Sequence, residues 1–549
     1  MNELSGSTDK YQVAILGAGI AGSMLAAVLA RNGMRVLLLD AASHPRFAIG
    51  ESTIPTTSAM TRIIAERYRV PEIMALASFA GIRDNVSRNC GQKQNFGFVY
   101  HREGTRQDPH EINQFTIPKL LRTETHLFRQ DTDAYMYNVA VKYGAHGRLP
   151  VRIMDIDITG DGLVLESDKG EKFRAEYLVD AGGFRSPLAE KLSLRETPTR
   201  ARAHTRTVFT HMVGVTPFDD APAAKHHNQP NPWHHGTLHH VFDGGWMWVI
   251  PFDNHQRSLN PLCSVGLTLD PRRFPGDGMT PQEEFDDFLA RFPEIAVQFK
   301  NARAVRPWVG TGRLQYSSKQ IVGDRFCLTS HAAGFIDALY SRGLVNTFEV
   351  VNALAWRLIA AGRADDWSME RFQFVEDLQQ GLFDYHDDLV YSSFVGFGDY
   401  DLWNAVYRTW GAGTVLGAMR LEEAYFRYLR TRDDGVFRDL ENTDHPGTPC
   451  TISAGFTALA PTTRELCLAV ENGSLPASAA AHRLFATLQQ ADYLPPSFGL
   501  ADPDAHFFHA TPPKMARAVR WSHEKAQPEI GAMVRGAVGG FVKHRVRGH

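Results

Sequence analysis

The chain has 549 residues, enough for two or three core-bearing units, and its 43% hydrophobic and 22% charged residues exclude a fibrous or disordered protein. A formal net charge of -3 gives no electrostatic reason to expect nucleic acid as a partner. The cysteines Cys90, Cys263, Cys327, Cys450 and Cys467 are scattered, odd in number and without a C-x-x-C spacing, which suits reduced thiols in a cytoplasm.

No apolar run is expected to reach the length of a membrane span, and the opening MNELSGSTDK has no secretory pattern. The first element is an apolar strand, Val13 to Leu16, running into Gly17, Gly19 and Gly22 and an alanine-rich helix. Gly17 permits the tight turn, Gly19 lets the backbone approach a pyrophosphate, and Gly22 allows close helix–sheet packing. A second strand, Val36 to Leu39, ends in Asp40, where an acid holds a ribose hydroxyl. Together these predict a dinucleotide site for FAD or a nicotinamide; the motif alone does not choose.

Three later stretches, taken in order, resemble those of two-dinucleotide-binding-fold flavoproteins, and that likeness favours FAD. HPRFAIGEST follows the second strand and carries Arg46, Glu51 and Ser52. Arg129 precedes a helix expected to be capped at Asp131. From residue 151 the chain reads as short strands turned at Asp161-Gly162 and Lys169-Gly170, returning to a buried strand, Tyr177 to Asp180. Further on, GGWMWVIPF places Trp246 and Trp248 on one face of a strand by period two, and Pro251 ends that strand or sets it at an edge. The histidines between Lys225 and His240 have no cysteine or carboxylate among them, so the segment reads as a substrate-side loop and no metal is assigned. From about residue 355 the pattern turns helical and aromatic. There Phe383, Tyr385, Trp403, Tyr407 and Trp410 suit a substrate cavity or ordinary core packing equally.

The GES at Gly50 to Ser52, the W-x-W-x-I-P at Trp246 to Pro251 and the GFIDALYSRGL at Gly334 to Leu344 resemble flavin-dependent halogenases. The likeness is strongest to the pyrrole-chlorinating branch typified by the pyrrolnitrin pathway. It implies an α/β fold: a Rossmann-like FAD-binding domain of the two-dinucleotide-binding-fold, monooxygenase-like class, an interleaved antiparallel substrate sheet, and a mainly helical C-terminal region. The implied divisions are a core over 1–365, with the sheet at about 186–305, and a substrate-side region over 366–549.

The resemblance also implies a chemistry. FAD, reduced by a separate flavin reductase, meets molecular oxygen and chloride, and the resulting hypochlorous acid chlorinates a small arene, free or carrier-tethered, in secondary metabolism. Gly17, Gly19, Gly22, Asp40, Arg46, Glu51, Ser52, Arg129 and Gly334 would hold the cofactor. The backbone at Arg342 and Gly343 would hold chloride, unless it is a plain helix-start turn. Trp246 and Trp248 would wall the arene off from the flavin, and Lys93, just before an apolar strand, would receive the chlorinating species. Departures matter too. Gly182 and His331 stand where aromatic hydroxylases of this fold carry aspartates for NADPH and the ribityl chain, Ala338 replaces a usual proline, and Tyr340 stands where tryptophan halogenases carry a glutamate. An NADPH-dependent hydroxylase and a catalytically silent binding protein are the competing readings.

Overall fold

The computed structural model describes residues 10–117, 124–276 and 278–546, with side chains to residue 543. One sheet carries the dinucleotide fold. Tyr11–Leu16 lies at its centre, paired in parallel with Lys172–Asp180 on one side and Val36–Leu39 on the other. Phe326–Leu328 and His146–Arg148 extend the parallel order outward. All four residues of Val36–Leu39 are buried, as a strand covered on both faces requires. The helix Ile20–Arg31 covers one face and packs on Arg129–Lys142 and on Gly343–Ala364.

Gly343–Ala364 corrects the expectation about membrane spans. Among the described residues it alone is long and apolar enough to cross one by length and composition. Yet 72% of its apolar window is buried in the protein, because it lies in the core against the first helix.

The second sheet has the order Arg303–Ala304, Arg206–Val213, Cys263–Leu269, Gly245–Pro251, Thr237–Phe242, Asn95–His101, Ile112–Thr116, Phe507–His509. It therefore draws strands from outside 186–305, and two of its pairs are parallel: Thr237–Phe242 with Asn95–His101, and Phe507–His509 with Ile112–Thr116. Gly245–Pro251 is flanked on both sides, so it is an inner strand. Pro251 is tolerated because its missing donor falls at the last residue. The period-two reading holds along it. Trp246, Trp248 and Ile250 enter one core cluster with Tyr340, Trp403, Tyr407 and Trp410, while Met247 and Val249 enter the opposite cluster.

The C-terminal region is built on the long helices Gln373–Gly396 and Tyr400–Thr431, with Leu459–Glu471, Ala477–Gln489, Pro512–Glu524 and Pro528–Val546 packed around them. Asp131 is not the cap of its helix. That helix begins at Arg129 after Phe128, and the Asp131 carboxylate accepts instead from the Asn89 amide at 2.8 Å.

Candidate active site

The first turn is built for a phosphate. Gly17 adopts φ +98°, and a Cβ there would lie 2.4 Å from the Ala181 carbonyl oxygen; a Cβ at Gly22 would lie 2.0 Å from that of Gly17. At Gly19, by contrast, the nearest atoms to an added Cβ are Arg46 Nη2 and Asp133 Oδ2, both at 3.8 Å. The backbone is thus open on one side, directly before a helix whose first amides have no side-chain cap. Uncapped amides with an open approach fit a pyrophosphate. Asp40 accepts from the Ala18 and Ala42 amides, at 2.7 and 2.9 Å, and pairs with Arg46. Its carboxylate is fixed at the end of the second strand, where a ribose would lie.

Gly22→Ala is expected to destabilise the chain by about 1–3 kcal/mol, because a rigid backbone oxygen fills the space. Thermal unfolding and a fluorescence titration with FAD check it; FAD affinity unchanged at wild-type stability would refute the close-packing role.

The segment after Arg46 is tied down by Arg129. Its Nη1 donates to the Ile49 and Gly50 carbonyls at 2.7 and 3.1 Å, and its Nε and Nη2 engage Asp133 at 2.8 and 3.0 Å. Glu51 is buried and bonds His211 Nε2 at 2.7 Å, linking the dinucleotide fold to the second sheet.

Lys93 is the most unusual side chain of the site. It is 0% exposed, and among the described residues no carboxylate comes within ion-pair distance of it. Its Nζ donates to Ser52 Oγ at 2.7 Å and to the Thr53 carbonyl at 2.8 Å, and lies 4.0 Å from the centre of the Phe96 ring. Burial holds its pKa well below the ordinary lysine value, and the field of Glu124 offsets only part of that.

A continuous run of rings joins this lysine to the glutamate segment. Phe47 stacks near Phe209, Phe209 meets Trp248 at 6.3 Å, and Trp248 meets Trp246 at 5.5 Å. Trp246 then meets His239 at 5.5 Å, His239 meets Phe96 at 4.5 Å, and Phe96 lies against Trp410 at 5.0 Å. Trp410 stacks on Tyr340, with ring planes 15° apart. Trp248 is held in place by its indole N–H on Ser264 Oγ at 3.1 Å and by Gly266, where an added Cβ would overlap the ring at 2.0 Å.

On the far side of Tyr340 the chain turns through Ser341, at φ +52°, and enters the helix at Gly343. Arg342 is 5% exposed, its Nε has no hydrogen-bond partner among the described residues, and its guanidinium lies 5.0 Å from the Tyr385 ring centre. Gly334 and Gly343 line a common cavity with His331, Phe383 and His386, so the two turns of GFIDALYSRGL converge. Tyr385, Trp403, Tyr407 and Trp410 pack in the cluster of the paired tryptophans, and Phe383 lies apart with Ile336.

The histidine-rich stretch is not one loop. His239 and His240 belong to the strand Thr237–Phe242; His239 Nδ1 donates to the Gly97 carbonyl at 2.9 Å, and His240 bonds His101 and Gln298. His227 is spent on Gln107 and the Trp233 indole. His239 and His240, neighbours on a strand, point to opposite faces; among the described residues no cluster of three metal-ligating side chains exists. Gly182 donates to the buried Asp180, at 2.8 Å, which caps the following turn.

Sequence reasoning missed Glu124, His126 and Thr237, all nearly fully buried around Lys93. Glu124 and His126 are two apart in a three-residue strand, and that alternation just before Arg129 was the available signal.

A sequence model for a family described as an FAD binding domain matches residues 10–273. The chain is 49% identical to a tetracycline 7-halogenase of Kitasatospora aureofaciens over 95% of this chain and 94% of that protein. It is 47% identical to the monodechloroaminopyrrolnitrin halogenase PrnC of Pseudomonas fluorescens, over 90% and 87%. The crystal structure of halogenase PltM in complex with phloroglucinol and FAD superposes with a TM-score of 0.87 at 34% identity, covering 91% of this chain and 99% of that one. Identity of this order across nearly the whole length, on a fold whose first turn fits a dinucleotide's pyrophosphate, sets aside the hydroxylase and silent-protein readings: the chain is an enzyme and belongs to the flavin-dependent halogenases of secondary metabolism.

Proposed function

We propose that this enzyme chlorinates an electron-rich small-molecule ring, a pyrrole or a phenol, using chloride, molecular oxygen and FAD delivered in reduced form by a separate flavin reductase. The observation that carries the reading is Lys93: a buried amine without an ion-pair partner among the described residues, at the end of a wall of aromatic rings that starts beside the glutamate segment. Bound reduced flavin supplies the two-electron chemistry that turns chloride and oxygen into hypochlorous acid. Gly17, Gly19, Gly22, Asp40, Arg46, Glu51, Ser52, Arg129 and Gly334 hold it, and the amides at Arg342 and Gly343 receive the halide. Trp246 and Trp248 keep the arene and bulk water from the flavin, so chloride rather than carbon meets the oxidant.

Lys93 then binds the chlorinating species, by hydrogen bond or as a chloramine, and presents it to the substrate. A weakly basic amine suits the chloramine role, because only the neutral form has the lone pair that bonds chlorine. Tyr340 is fully buried, its hydroxyl is bonded to Ser393 at 2.6 Å, and its own burial raises its pKa, so it offers no carboxylate to polarise the chlorinating species. The ring must bring its own activation. The relatives' names agree with that: phloroglucinol and tetracycline carry hydroxylated rings, and aminopyrrolnitrin a pyrrole.

A competition assay with flavin reductase, FAD, chloride and a panel of pyrroles, phenols, a carrier-bound pyrrole and tryptophan tests the reading. Pyrroles or phenols are expected to be consumed at least about 100-fold faster than tryptophan, roughly 3 kcal/mol of discrimination. Selective conversion of tryptophan would overturn the substrate class. Rapid NADPH consumption without the reductase, with oxygen entering the product, would overturn the two-component reading.

A further inference from the structure

The cavity shared by Gly334 and Gly343 is also lined by the helix Gln373–Gly396, through Phe383 and His386. Among the described residues that line it there is no carboxylate. Its one arginine, Arg200, is already committed to Glu196, Asp384 and Gln380. Ser330 Oγ is bonded to Thr347 Oγ1, and Gln379 accepts from the Ser330 amide at 2.9 Å and donates to the Leu328 carbonyl at 2.9 Å. These polar groups are spent within the protein.

What is left over is a set of donors. The helix Gly343–Ala364 opens on the cavity at Gly343, and its first amides have no side-chain cap. Asn346 lines the cavity one turn further on. Its Oδ1 accepts from Arg342 Nη2 at 3.3 Å, and since a guanidinium only donates, the Nδ2 group is the end left over. His386 is 5% exposed, and its Nε2 is buried without a hydrogen-bond partner among the described residues. A buried ring nitrogen with nothing to bond is uncommon in a folded protein and calls for an occupant of the cavity.

The field in the cavity says which kind. Burial holds the His386 pKa at about 3, and the charges of Arg342 and His331 push it the same way. Those charges oppose a further positive charge at the ring, so they favour a negative one beside it. The start of a 22-residue helix acts in the same sense. A water molecule would bond the ring but gain nothing from this field, whereas an anion gains from both.

We propose that His386 is a halide ligand: its Nε2–H and the Asn346 side-chain amide hold chloride or bromide against the start of the helix Gly343–Ala364. The proposal rests on the halogenase reading given above. The halide is then held by side chains from two helices and not by the amides of the Arg342–Gly343 turn alone. The neutral ring carries its proton on Nε2, because only that tautomer donates from the unpartnered nitrogen. No proton or electron changes hands; His386 binds the ion and leaves its oxidation to the flavin.

Two measurements test it. Crystals of the full chain with FAD, soaked in sodium bromide and measured at the bromine absorption edge, are expected to show bromide in contact with His386 Nε2. His386→Leu is expected to lose that peak. Bromide only on the turn and out of reach of His386, or none in the cavity, overturns the proposal. In turnover with a flavin reductase, the KM for chloride is expected to rise about 10-fold or more in His386→Leu, and to rise more than kcat falls. His386→Gln, which restores a donor, is expected to recover most of the loss. A merely structural role would lower stability and kcat and leave the KM for chloride in place, and an unmoved KM in folded His386→Leu overturns the proposal. Should His386→Leu not fold, Asn346→Ala removes the second donor and is expected to raise the same KM; an unmoved KM there overturns the proposal too. Wild type that holds bromide at His386 yet chlorinates no arene refutes the functional reading and leaves the halide site standing.

Discussion

Lys93→Ala is expected to go on consuming reduced flavin at the wild-type rate while chlorinated product falls on the order of 10²–10⁴-fold, the range for losing one positioned proton-exchanging group. The two activities are expected to separate because the lysine amine is committed to Ser52 Oγ, the Thr53 carbonyl and the Phe96 face and not to the glycine turn that would receive the cofactor's pyrophosphate. The alanine variant also leaves two buried acceptors without a donor, at about 1–3 kcal/mol each. Lys93→Met keeps most of the packing against Phe96 and guards against reading instability as chemistry. Parallel measurement of flavin oxidation, product and thermal unfolding checks the result. Substantial chlorination by either folded variant would remove Lys93 from the mechanism.

Trp246→Ala is the most damaging change expected in the wall. Trp246 is 1% exposed and packed between Trp248 and His239, so truncation opens a large cavity and costs about 3–5 kcal/mol. The cavity joins the flavin side to the lysine side, and the expected outcome is oxidant lost as hydrogen peroxide with chlorination uncoupled. A hydroxylase is not expected, because seating an arene over the flavin needs donors and shape that a missing indole does not create. Trp248→Ala is expected to behave similarly and also to free Ser264 Oγ from its indole partner. Peroxide yield, product analysis and thermal unfolding read the outcome; clean oxygen insertion by either variant would mean that the wall alone sets the reaction class.

Much of the dinucleotide fold is written locally. The spacing of Gly17, Gly19 and Gly22 between an apolar strand and an alanine-rich helix admits few other conformations, since Gly17 needs a positive φ and Gly22 has no room for a Cβ. The alternation of Trp246 and Trp248 likewise fixes their common face, because successive side chains of any strand point opposite ways. Such features depend on sterics and periodicity within a few residues, and they were legible before any tertiary contact was known.

What surrounds Lys93 was not. A lone lysine before an apolar strand reads equally as a surface group, and neither Glu124 nor His126 is marked by a motif. They meet the lysine because Glu124–His126 pairs with Gly91–Lys93 across more than thirty residues of chain, and because Thr237 arrives from the second sheet. The same holds for the histidines at 226–240: the strand Thr237–Phe242 sends His239 and His240 to opposite faces, and His227 is taken up by Gln107 and the Trp233 indole. Phe507–His509, from the helical region, joins the second sheet beside Ile112–Thr116 by a contact no local pattern announces. Glycine spacing and side-chain alternation are properties of a short segment and follow from its own sterics. Strand partnership and burial are properties of segments far apart, set by whichever register buries the most apolar surface while satisfying its polar groups, and that register exists only once the whole chain has folded.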